Sequence, residues 1–130
     1  MEFETKVQFL TQPEHNRRTI VISDIHGHRA WLEKLLKKVD FSEKDILIIV
    51  GDMIEKGPES LNTIRYIMEL CEKYTVYPMM GNVDLWRIQM LLTEDGSLDQ
   101  ELYETNERMR QYWKATFFQD LCREAGVSVK

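Results

Sequence analysis

Apolar residues fall into short unbroken runs separated by stretches of helical spacing. Ile46-Leu47-Ile48-Ile49-Val50 is the clearest run. It is apolar on both faces of a strand, which predicts the middle of a covered parallel sheet. Thr19 to Ser23 is a β-branched run that predicts a strand before it. Thr75 to Met80 predicts a third, with Pro78 arguing for a strand end. Between the runs the period lengthens. Leu32, Leu35, Leu36 and Val39 share one helix face, and Leu61, Ile64, Ile67, Met68 and Cys71 share another after Gly57-Pro58. Leu85, Ile88 and Leu91 predict a third helix over Asp84 to Leu92. Ser97 and Gln100 have the spacing of a capping box, and Leu98, Leu102, Met109, Trp113, Phe117 and Leu121 outline one long amphipathic helix. Residues 3–10 alternate loosely, predicting a short edge strand or arm, and Gln12 to Arg18 reads as a loop. The pattern predicts an α/β fold, parallel β-α-β-α-β followed by a long C-terminal helix, in one domain over residues 1–130.

Composition narrows the function classes. The chain has 130 residues, 43% apolar and 30% charged, which are ordinary globular proportions. A formal charge of −5 argues against a general nucleic-acid binder, which needs a basic face. Cys71 and Cys122 form no spaced metal pattern, and the place of Cys71 on an apolar helix stripe predicts a buried, reduced thiol. Glu2 and Glu4 follow Met1 at once, and no run approaches the ~18 apolar residues of a membrane span. A cytoplasmic protein with no membrane association is the expectation.

Polar clusters close the three apolar runs: Asp24-Ile25-His26-Gly27, then Gly51-Asp52 through Gly57-Pro58-Glu59-Ser60, then Gly81-Asn82-Val83-Asp84. Asp24, Asp52 and Asn82 lie 28 and 30 positions apart, about one β-α repeat. In an open parallel sheet these residues converge at the C-terminal edge, where α/β sites form. Carboxylates and an amide with one imidazole suit hard or borderline divalent cations. Each cluster alone has an ordinary reading, as a polar turn, a helix lead-in or a Gly-Asn turn. All three in this order, each directly after a strand, point to a metal site built for phosphate chemistry.

The order Asp-x-His, Gly-Asp-(x)n-Gly, Gly-Asn-x-Asp resembles the calcineurin-like metallophosphoesterase superfamily, over about residues 19–92. Within it the first two motifs look most like the serine/threonine protein phosphatase and symmetrical diadenosine tetraphosphatase branch. The resemblance implies that the strands form half of a metallophosphoesterase sandwich. It implies two divalent ions in a complete site, manganese foremost, with iron, zinc or magnesium as alternatives. Asp24 and His26 would ligate the first ion, Asp52 would bridge both, and Asn82 would ligate the second. The implied reaction is attack of metal-activated hydroxide on a phosphoric ester, with no covalent enzyme intermediate. The implied substrate is a phosphorylated protein, a dinucleotide or a small ester.

Departures from the family pattern carry equal weight. The residue after Asn82 is Val83, where the phosphatase branch has a proton-donating histidine oriented by the residue at Asp84. Loss of a positioned general acid costs about 10²- to 10⁴-fold with poor leaving groups and spares activated aryl esters. Asp84, the other candidate catalytic residue, then has a plainer role at a helix N-terminus. Lys56 stands where protein phosphatases have a phosphate-binding arginine; it keeps the charge and loses the bidentate fork. His28 reads as a surface histidine opening a helix.

The family completes its metal shells with histidines from the second half of the chain, and here no histidine follows His28. The chain therefore holds an N-terminal half-site, belonging either to a longer enzyme or to a shortened relative. A homodimer cannot supply the missing residue type, although dimerisation through the uncovered sheet or the C-terminal helix would bury apolar surface. The alternative function is a catalytically weak or inactive scaffold on the same fold. A receiver-type regulator also gathers acids around Mg²⁺, but His26 is foreign to that pattern and the threonine-lysine pair it needs is missing.

Overall fold

The structure, a computed structural model, describes residues 17–85 and 118–126. Its elements are β1 (Thr19–Ile22), α1 (Arg29–Lys38), β2 (Ile46–Val50), α2 (Ser60–Lys73), β3 (Thr75–Met79) and α3 (Phe118–Ala125). Residues 82–85 form a helical turn after β3. The expected arm at 3–10, the capping box at Ser97 and the stretch of long helix before residue 118 lie outside the described residues.

The three strands are parallel in the order β1-β2-β3, with Thr19 level with Ile46 and Ile46 level with Thr75. The apolar run at 46–50 takes the centre, with Ile46, Leu47 and Ile49 buried. Leu47 and Ile49 are fully buried and pack with Leu32 and Leu36 of α1 and Ile67 and Leu70 of α2. Contact between α1 and α2 places both crossovers on one face, as right-handed connections in a 1-2-3 order require. The other face carries Val21, Ile48 and Tyr77 in one row and Val50 and Met79 in the next. Val21, Val50 and Met79 on that face are exposed. Pro78, level with Ile49, sits within β3, which is an edge strand among the described residues.

Helix α2 turns a different face inward from the one its apolar stripe predicts. Its buried residues are Ser60, Thr63, Ile67 and Leu70, while Met68 and Cys71 are exposed. The expectation of a buried Cys71 is thus corrected. Ser60 lies against the loops at the sheet edge, its hydroxyl accepting from the Glu55 amide and crowding Gly27. The buried face shares Ile67 with the apolar stripe and is otherwise shifted to Ser60, Thr63 and Leu70. Glu124 of α3 accepts a hydrogen bond from the Asn62 amide at 2.8 Å, and Arg123 donates to the Pro58 carbonyl at 3.4 Å. So α3 caps the start of α2, satisfying one of its orphan amides. Among the described residues, no helix is long and apolar enough to cross a membrane.

The opposite, N-terminal edge of the sheet is held by an ion pair between the exposed guanidinium of Arg18 and the buried carboxylate of Asp45. Arg18 presents Nε and Nη2 to the two carboxylate oxygens of Asp45, each at 2.9 Å, a bidentate fork. The Ser42 amide donates to the same carboxylate at 2.9 Å. The Arg18 hydrogen bonds, with help from Ser42, hold the Asp45 carboxyl well below its ordinary 3.8, at about 2, against the opposing effect of burial. A depressed folded-state value means the contribution to stability is complete above the ordinary value and fades as pH falls toward the folded one. Asp45→Asn is expected to lower the thermal midpoint at neutral pH, with the gap to the native chain closing between pH 3.8 and about 2. A gap that stays constant over that range in thermal scans would refute this role.

Candidate metal centre

Each strand delivers its polar cluster within a few residues of its last paired position. Asp24 follows β1 by two residues, Asp52 follows β2 by two, and Asn82 follows β3 by three. Parallel pairing in register makes these the same edge. There the Asp24 and Asp52 carboxylates and the His26 imidazole each bring one ligand atom within 4.8 Å of the others. His26 Nε2 and Asp52 Oδ2 are 4.0 Å apart.

The backbone that achieves this is unusual. Asp24, His26 and Asp52 all have positive φ, at 57°, 47° and 52°. That region costs an ordinary L-residue roughly 1–2 kcal/mol, with Asp, Asn and His the best tolerated. The conformations are held by hydrogen bonds between the first two clusters. The His26 amide donates to the Asp52 carbonyl at 2.9 Å, Gly27 to Met53 at 2.8 Å, and Gly57 back to His26 at 2.8 Å. The loops approach so closely that side chains are excluded. A Cβ on Gly57 would overlap the carbonyl oxygens of His26 and Gly27, and one on Gly81 would overlap the amide nitrogen and Oδ1 of Asp52.

The imidazole is oriented for ligation. His26 Nδ1 faces the Ile54 carbonyl at 3.2 Å, a partner that requires the proton on Nδ1 and leaves the lone pair on Nε2. This is how ligating histidines are commonly fixed from behind. Lys56 Nζ lies 3.1 Å from that Nε2, so the exposed lysine reaches the cluster. Glu55 and Lys56 also have positive φ, at 72° and 68°, which bends the loop back over the histidine. The donor set of two carboxylates and an available imidazole nitrogen fits a hard or borderline divalent cation.

The third cluster arrives by its backbone. Asn82 is exposed at the start of the helical turn, at the same edge. The neighbouring Val83 amide donates to Asp52 Oδ1 at 3.1 Å, so one Asp52 oxygen faces a helix N-terminus and the other faces His26. Asp84 is 4% exposed, and its two oxygens accept hydrogen bonds from the Met53, Ile54 and Gly81 amides at 2.9, 3.2 and 2.9 Å. Sequence reasoning missed these amide contacts, although an acidic residue three positions after Gly81 is the readable half of a capping box. It also missed Ser60, whose buried hydroxyl accepts from the Glu55 amide at 2.9 Å.

Residues 17–126 match a family model described as calcineurin-like phosphoesterase. A symmetrical bis(5'-nucleosyl)-tetraphosphatase from Buchnera aphidicola subsp. Schizaphis graminum is 45% identical over 65 residues, covering 49% of this chain and 23% of that protein. One of the same name from Coxiella burnetii is 34% identical over 92 residues, covering 70% of this chain and 30% of its own length. A crystal structure described as a candidate diadenosine tetraphosphatase is 32% identical, with a TM-score of 0.49, covering 78% of this chain and 47% of that one. The chain thus spans between a fifth and a third of the length of these curated relatives.

Close approach at the sheet edge makes a direct prediction. Gly81→Ala is expected to cost about 1–3 kcal/mol in overpacking, read as a lowered denaturant midpoint with an unchanged slope. An unchanged midpoint would contradict the contact with Asp52.

Proposed function

The chain belongs to the calcineurin-like phosphoesterase family, and from that premise we propose that it supplies the N-terminal half of a two-metal site for hydrolysing phosphoric esters. The observation that carries this reading is the convergence of Asp24, His26 and Asp52 within 4.8 Å. Asp24 and His26 would hold one divalent ion, manganese in the first instance. Asp52 would lie between two ions, since a carboxylate can serve both, and Asn82 would offer its amide oxygen to the second. The ions would supply charge neutralisation for the phosphate and a lowered pKa for water.

The protein's own groups have distinct tasks in this reading. His26 is held in the ligating tautomer by Ile54. Lys56, exposed and within 3.1 Å of His26 Nε2, places a mobile positive charge where a phosphate oxygen would bind, as a point charge without a fork. Val83 carries no proton, so the leaving group departs without help from that position. This favours esters with weakly basic leaving groups, and it is also the observation that favours the second reading, a weakly active or inactive scaffold. The relatives' name indicates bis(5'-nucleosyl) tetraphosphates, and we take a dinucleotide polyphosphate as the substrate class of the protein as a whole.

Calorimetric titration of Mn²⁺ into the native chain and into Asp52→Asn tests the proposal. Removing the shared carboxylate is expected to weaken binding on the order of 10- to 100-fold or more, at least what loss of an outer partner costs. Superimposable isotherms would rule out the metal assignment.

A further inference from the structure

We infer that Asp84 is a positioning residue for the metal ligands, acting through the backbone of residues 52–54 and not by handling a proton; this rests on the metal reading above. The argument begins with where each polar group of that segment goes. On one side, the Met53 and Ile54 amides both donate to Asp84 Oδ1. On the other, the Asp52 carbonyl accepts from the His26 amide, the Met53 carbonyl from the Gly27 amide, and the Ile54 carbonyl faces His26 Nδ1. The segment is therefore a three-rung ladder with the Asp84 carboxylate along one rail and the Asp24-to-Gly27 turn along the other.

This ladder fixes both candidate ligands at once. The peptide joining Asp52 to Met53 has its N–H on Asp84 and its C=O on His26, so its plane sets the direction of the Asp52 side chain. The Ile54 carbonyl that selects the His26 tautomer belongs to a residue whose own amide is held by Asp84. Asp84 Oδ2 meanwhile accepts from the Gly81 amide, tying in the turn whose Val83 amide holds Asp52 Oδ1. With three amides on its two oxygens and 4% exposure, Asp84 is turned to the backbone. An amide side chain at this place could accept from one side of the ladder only, and would set its own N–H₂ against a backbone N–H on the other.

The test compares Asp84→Asn with the native chain, with Asp45→Asn as a control that weakens the fold at the far edge of the sheet. Co²⁺ is titrated and followed by its visible absorption, which reports the geometry of the bound ion. Asp84→Asn is expected to weaken Co²⁺ binding on the order of 10- to 100-fold, as loss of outer partners does, and to alter the spectrum, while Asp45→Asn changes neither. Native affinity and spectrum in Asp84→Asn would overturn the inference, as would an equal loss in Asp45→Asn, which would make the effect one of stability alone. If Asp52→Asn itself leaves Co²⁺ binding untouched, the metal reading fails first. Should Asp84→Asn not fold, amide hydrogen exchange in the native chain carries the test. Zn²⁺ is expected to slow exchange at Met53 and Ile54, because binding and ladder closure are reciprocally coupled. Exchange rates indifferent to Zn²⁺ would overturn it.

Discussion

The constraint on which the rest depends is the direct backbone pairing of two loops at the C-terminal edge of the sheet. The amides of His26 and Gly27 donate to the carbonyls of Asp52 and Met53, in a region where neither loop belongs to a strand. This pairing holds Asp24, His26 and Asp52 in left-handed conformations that isolated residues of these types would rarely keep. It also leaves no room for side chains at Gly57 and Gly81. Strain of this kind persists where surrounding bonds over-determine it, and it concentrates at functional positions. The packed layers beneath, Leu47 and Ile49 against the two helices, serve to deliver the strand ends in register so that the loops can meet.

Much of this is legible in the sequence. The run at 46–50 announced a central parallel strand because its apolar residues do not alternate, and the three polar clusters announced the edge because each follows a strand. The inward face of α2 was not legible. Its buried Ser60 and Thr63 are small and polar, so a hydrophobic stripe cannot reveal them; Ser60 is inside because its hydroxyl serves the loop at Glu55. Cys71 fell on the wrong side of the helix for the same reason. The direction of Asp84 was hidden too, since a carboxylate that serves backbone amides looks identical in sequence to one that serves a substrate.

The two edges of the sheet use carboxylates in opposite ways. At the N-terminal edge Asp45 is matched by the Arg18 fork and by the Ser42 amide, which makes it a fastening. At the C-terminal edge Asp24 and Asp52 gather around the His26 imidazole, whose Nε2 also meets the Lys56 amine, and the carboxylate charge collects where a cation would complete it. The family match over residues 17–126 agrees with this division of labour.

The central claim is that the three loops form one cation site at Asp24, His26 and Asp52. Anomalous diffraction from crystals of the protein soaked in Mn²⁺ tests it most directly. The account predicts an anomalous peak bound by the carboxylates of Asp24 and Asp52 and by His26 Nε2. A peak seated elsewhere, or none at this edge with Mn²⁺ in excess, would contradict it.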